Sequence, residues 1–141
     1  MDVEAHGNRS RFPGAADPAV ILLDTHAVIW LAQGNRRARP LEAFPSLHLS
    51  PITLLEVQFL IEAGRVRFKD GRSAETLAVD DRWRLDEPPA ARWFTIACEF
   101  SWTRDPFDRL IAAHVQLRRW KLATADEQLL AQLPASRVLP L

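Results

Sequence analysis

The chain has 141 residues, enough for one domain that buries a core without disulfides or a structural metal. Hydrophobic residues at 48% and charged ones at 26% are globular in balance and exclude a disordered chain. Eighteen basic against eighteen acidic residues leave a net charge of zero, which excludes coating nucleic acid by bulk attraction and leaves only a local basic patch for that task.

Residues 1–19 carry Gly7, Pro13, Gly14 and Pro18 with little periodicity, and are expected as a flexible tail before one domain over 20–141. Val20-Ile21-Leu22-Leu23 then reads as a strand covered on both faces, ending at Asp24. Thr25 is placed to cap the next helix, apolar almost all round from His26 to Leu31 and stopped by Gly34-Asn35. Asp24 thus stands at the carboxyl end of a first strand, where open α/β sheets place their ligands. Arg36, Arg37 and Arg39 read as a solvated loop, with Pro40 and Pro45 interrupting regular structure. Leu47-His48-Leu49 is a second strand, and Ser50-Pro51 opens a helix to about Ala63. On that helix Ile52, Glu56, Leu60 and Ala63 share a face, so a carboxylate interrupts an apolar stripe.

The pattern weakens from Arg65 to Glu87, where a short helix near Ser73–Val79 and a strand near Trp83–Leu85 are expected. Asp86-Glu87-Pro88-Pro89 resembles a helix start before Ala90–Cys98. Asp105 is suited to cap a helix running from Pro106 to near Trp120, with Asp108 in its first turn. Lys121-Leu122-Ala123-Thr124 is a strand ending near Asp126, Glu127 opens a last helix, and Arg137–Leu141 closes as an edge strand that tolerates Pro140. This alternation predicts a three-layer α/β/α sandwich with a central, mostly parallel sheet.

A single cysteine, Cys98, excludes an internal disulfide, and four scattered histidines offer no zinc template. No apolar run is long enough to span a bilayer, and Met1–Asp17 lacks a signal-peptide core, so a cytoplasmic chain is expected.

Each acid has a bland explanation: Asp24, Asp105 and Asp126 as helix caps, and Asp108 as a favoured charge in a first helical turn. Glu56 resists that treatment, because an acid on a core stripe is costly unless paired, protonated or metal-bound. Together, two acids stand at strand ends, one interrupts an apolar face and two share a helix start. A cluster of four or five carboxylates repels itself without cations, and its hard oxygens suit Mg²⁺ or Mn²⁺. Such ions can hold a phosphodiester and activate a water for in-line attack.

The runs Leu22–Trp30, Ser50–Glu56, Arg104–Ala113 and Leu122–Asp126 resemble the four signature blocks of PIN-domain ribonucleases, most specifically the VapC-type toxins of toxin–antitoxin pairs. The resemblance implies a Mg²⁺- or Mn²⁺-dependent endoribonuclease with the acidic quartet Asp24, Glu56, Asp108 and Asp126. Asp105 would be an adjacent contributor. Thr124 would be a hydrogen-bonding residue near the metal-bound water, and Thr25, beside Asp24, would likewise stand behind the ligands. Arg104 and Arg109 flank the acidic pair and are candidates for RNA phosphate contacts, with Arg109 equally able to steady Asp105 or Asp108. Trp30 and Trp102 are candidates for base stacking or, among apolar neighbours, for core packing. The resemblance also implies a homodimer and a cognate antitoxin that covers the acidic pocket. Two rival readings stand beside it: a PIN-fold module that binds RNA or protein without cutting, and a phospho-acceptor role for Asp24. The latter lacks the second acid expected two residues on, where the chain has His26.

Overall fold

The computed structural model describes Phe12 and residues 14–141. Its centre is a five-stranded sheet of β1 (Val20–Leu23), β2 (Ser46–Leu49), β3 (Arg84–Leu85), β4 (Lys121–Thr124) and β5 (Val138–Pro140), in the order β3-β2-β1-β4-β5. Every pairing is parallel, with Leu22 opposite His48 on one side and Leu122 on the other. Helices α1 (Thr25–Gln33), α2 (Pro51–Glu62), α3 (Ala74–Ala78), α4 (Ala90–Ala97), α5 (Pro106–Arg118) and α6 (Glu127–Gln132) connect the strands, as the expected sandwich requires.

Strand alternation divides the apolar residues between two layers. Leu22 and Leu122 face a core with Trp93, Phe100, Ile111, Val115 and Leu129, whereas Ile21, Leu23 and Ala123 face one with Val28, Leu41, Leu49, Val57 and Trp83. Because β2 and β3 extend from one side of β1 and β4 and β5 from the other, the chain reverses its winding between β1 and β4. The carboxyl ends of those two strands frame the crevice where such sheets bind ligands.

Several boundaries differ from expectation. Part of the segment expected as a tail packs on the domain: Phe12 is buried, its ring stacked 5.9 Å from Phe100, and the Arg137 guanidinium donates to the Gly14 carbonyl at 3.2 Å. Residues 1–11 and Pro13 of that segment lie outside the described residues. Of the two caps expected for α1, Thr25 is the helix's first residue and Asp24 is the cap, accepting from the Thr25 amide at 2.8 Å. The basic run Arg36–Ala43 coils into a 3₁₀-helix rather than an open loop, because the Asn35 side chain caps it and Ala38 and Leu41, three apart, are both buried. Helix α5 stops at Arg118, where Arg119 adopts a left-handed φ of 60° that turns the chain into β4.

Candidate metal centre

Each acid reaches the crevice by a different local device. Asp24 leaves β1 and caps α1. Its second oxygen accepts from Thr124 Oγ1 at 2.6 Å, across the β1–β4 pair. Glu56 projects from the second turn of α2, and the buried Thr25 hydroxyl donates to it. That engagement is the physical reason Thr25 does not cap α1. Asp126 caps α6 by accepting from the Leu129 amide at 2.9 Å, while its own amide donates to Thr124 Oγ1 at 3.0 Å. Asp105 caps α5 through the Phe107 amide at 2.8 Å, and Asp108 lies in the first turn behind it.

Electrostatics shows that these acids share one field. Burial raises the Asp24 carboxyl above its ordinary range, with a further push from Asp126, although the bonds from Thr124 and Thr25 oppose the shift. Glu56 is raised by burial and by repulsion from Asp24, Asp105 and Asp126, against the Thr25 bond. Asp108 is pushed up to about 7, first by burial and then by Asp105, Asp126, Asp24 and Glu56. A carboxyl raised this far by burial and by neighbouring acids marks a candidate functional site rather than a solvated helix start.

The donor set is all carboxylate and hydroxyl oxygen, the chemistry of Mg²⁺ or Mn²⁺ rather than of a soft ion. Among the described residues, no three of these side chains stand in an arrangement that already cages an ion. The oxygen chemistry therefore fits a hard divalent cation. Replacing Thr124 by Val should cost about 1–2 kcal/mol, because Asp24 and the Asp126 amide both lose a partner; thermal melting would check it.

The two arginines are placed differently from one another. Arg109 Nε donates to the Thr103 carbonyl at 2.8 Å, steadying the loop before α5 rather than pairing with Asp105 or Asp108. Arg104 is exposed. Trp102 packs partly buried against one core; Trp30 packs partly buried against the other, with the Arg37 guanidinium 4.0 Å above its ring.

The structure also joins residues that the sequence did not single out as a group. His114, fully buried in α5, meets Ser50 Oγ at 2.9 Å through Nδ1 and Asp86 Oδ2 at 2.7 Å through Nε2. Arg118 Nε adds 2.8 Å to the same oxygen. Although burial opposes it, the bonds from Arg118 and His114 hold Asp86 below the ordinary carboxyl range, and burial lowers His114 to about 4. Near neutral pH the imidazole is therefore uncharged, donates from Nε2 and accepts the Ser50 hydroxyl proton at Nδ1. The order Ser-His-Asp is that of a hydrolase triad, yet Ser50 is fully buried, so no substrate reaches it. The cluster is a strut that ties the start of α2 and the loop after β3 to α5. A histidine within an apolar helical run was the one signal in the sequence, since such a residue must find partners.

The PIN-domain profile matches residues 21–134. The chain belongs to the PIN-domain family. All four blocks quoted above fall inside that match. No curated protein matches the sequence. Among solved structures, the PIN domain is similar to a toxin–antitoxin complex from Klebsiella pneumoniae, at 26% identity over 84% of this chain and 95% of that one, with a TM-score of 0.59. It shares its fold with DNA-bound VapBC from Salmonella typhimurium, at 21% identity, 85% and 96% coverage and a TM-score of 0.60. VapBC2 from Rickettsia felis, bound to a promoter DNA fragment, shares it at 14% identity, 86% and 98% coverage and a TM-score of 0.59. The two VapBC structures agree with this chain in fold, and the Klebsiella complex is the one of these three above 25% identity.

Proposed function

We propose that this PIN domain is a Mg²⁺- or Mn²⁺-dependent endoribonuclease and the toxin of a toxin–antitoxin pair. The observation that carries the reading is the convergence of Asp24 and Asp126 after β1 and β4, Glu56 on α2, and Asp105 and Asp108 at the start of α5, where burial first and then their mutual repulsion lift Asp108 to about 7. Asp24, Glu56, Asp108 and Asp126 would hold the cation, with Asp105 as cap first and ligand second. The bound ion would supply water activation and neutralisation of the leaving oxygen.

The chain's own groups do the rest. Thr124 and Thr25 hold Asp24 and Glu56 in orientation. Arg104, and the end of Arg109 beyond its tethered Nε, are the cations placed to meet RNA phosphates beside the acids. A cognate antitoxin is the proposed partner, supported by the toxin–antitoxin nature of the Klebsiella complex. Next to Glu56, α2 exposes Leu55 and Phe59, and Phe59 meets Phe107 edge-on at 5.5 Å, giving the pocket an apolar lip for such a segment. A homodimer in the cytoplasm completes the proposal. No helix among the described residues is long and apolar enough to cross a membrane.

Chelation tests the reading directly. RNA should be cut with Mg²⁺ or Mn²⁺ present, stop being cut when EDTA is added, and be cut again when the ion is restored. Cleavage that persists under EDTA would overturn it.

A further inference from the structure

The acid cluster repels the polyanion it is proposed to cut, and the chain's zero net charge gives no compensating bulk attraction. Local cations must therefore bring RNA in, and the exposed side of α1 carries a route. His26 is exposed one residue beyond Thr25, at the end of α1 that Asp24 caps. One helical turn on, about 5.4 Å along the axis, the Trp30 ring stands 5.8 Å from the His26 ring. Arg37 then lies over Trp30 at 4.0 Å. Beyond it a cleft of about 320 Å³ is walled by Trp30, Asn35, Arg36, Arg39 and Glu42. Arg36, Arg37 and Arg39 are all exposed, and among the described residues none of their guanidinium groups pairs with a carboxylate.

We infer that His26, Trp30, Arg37 and the adjoining cleft form a subsite for single-stranded RNA, seating a base against the Trp30–Arg37 pair and a phosphate at Arg36 and Arg39. The inference rests on the ribonuclease reading above and names how its substrate leaves the cutting centre. Aromatic rings next to unpaired cations are the combination by which proteins hold unpaired strands, since every base has a face and every linkage a charge. A duplex has no free base face to offer. Glu42, on the same cleft wall, can accept from the amino edge of a base and repels a phosphate, which leaves the backbone to the arginines.

The test uses the full chain carrying Asp24→Asn, so that RNA is bound without turnover, and reads anisotropy of a short fluorescein-labelled single-stranded RNA. Adding Trp30→Leu or Arg37→Glu should weaken binding about tenfold, and His26→Ala several-fold. A ribose-phosphate polymer without bases should bind the Asp24→Asn chain weakly and should not distinguish the Trp30→Leu variant. The exposed His26 and Arg37 positions keep the test decisive if Trp30→Leu fails to fold. Unchanged affinity in both of those variants, while the wild-type chain still cuts RNA, overturns this inference alone. Equal losses for RNA and the base-free polymer reduce the surface to charge and overturn the base seat. A wild-type chain that neither binds nor cuts RNA overturns the inference and the ribonuclease reading together.

Discussion

Replacing Asp108 by Asn should reduce RNA cleavage by about a thousandfold or more, the loss expected when several kcal/mol of cation-dependent stabilisation is removed, and at the same time make the metal-free protein more stable above pH 7. The stability half follows from linkage. Asp108 has a folded-state pKa of about 7 against an ordinary 3.8, so the folded chain binds a proton that the unfolded chain releases. Its contribution is complete below 3.8 and is lost as pH rises through 7, where the ionised group repels four other acids. Asn carries no charge and avoids that loss. Because Asp108 is only partly buried, solvent screening leaves a gain of about 1–2 kcal/mol. Thermal melts of the two proteins in EDTA, run from pH 5 to pH 8, should diverge with increasing pH. Asp105→Asn is the informative contrast: it leaves an acceptor for the Phe107 amide, so folding should be kept and cleavage reduced far less than by Asp108→Asn. Equal losses of cleavage would place Asp105 among the principal ligands.

Asp86→Ala should be the most damaging single change to stability, costing about 3–5 kcal/mol. It leaves His114 Nε2 without its acceptor and the partly exposed Arg118 guanidinium with the Glu87 carbonyl alone. Urea unfolding would measure the loss, and a cost under about 1 kcal/mol would mean that the strut carries little. The same cluster sets an acid limit. His114 has a folded pKa of about 4 against 6.5, so the unfolded chain takes up the proton first and stability falls as pH drops from 6.5 towards 4. Over that window Asp108 works in the opposite direction, gaining stability as it protonates. The Asp108→Asn protein should therefore show the steeper acid decline of the two.

The sheet and its acids were legible because their signals are local. Val20–Leu23 is a continuous apolar run closed by an acid, Pro106 follows a capping Asp105, and Glu56 interrupts an apolar stripe; each can be read within one turn or one strand. The Asp86–His114–Arg118 strut was not, because its members come from a loop and a helix 28 and 32 residues apart, and Asp86 next to two prolines looks like an ordinary helix start. Choosing between Asp24 and Thr25 as the cap of α1 depended on Glu56, 31 residues beyond Thr25, which takes the threonine hydroxyl. Phe12 lay in a Gly- and Pro-punctuated stretch, and only the distant partners Phe100 and Arg137 give it a place.

Both margins of the sheet are closed to strand addition. On one side β3 offers only Arg84 and Leu85, and on the other β5 ends in Pro140, which has no amide hydrogen to donate. Among the described residues, an incoming polypeptide or a second copy of the chain finds only a two-residue strand at one margin and a three-residue strand ending in proline at the other. Recognition of this domain by proteins must therefore be written in side chains, on helices and loops, where single substitutions can change partners without disturbing the fold.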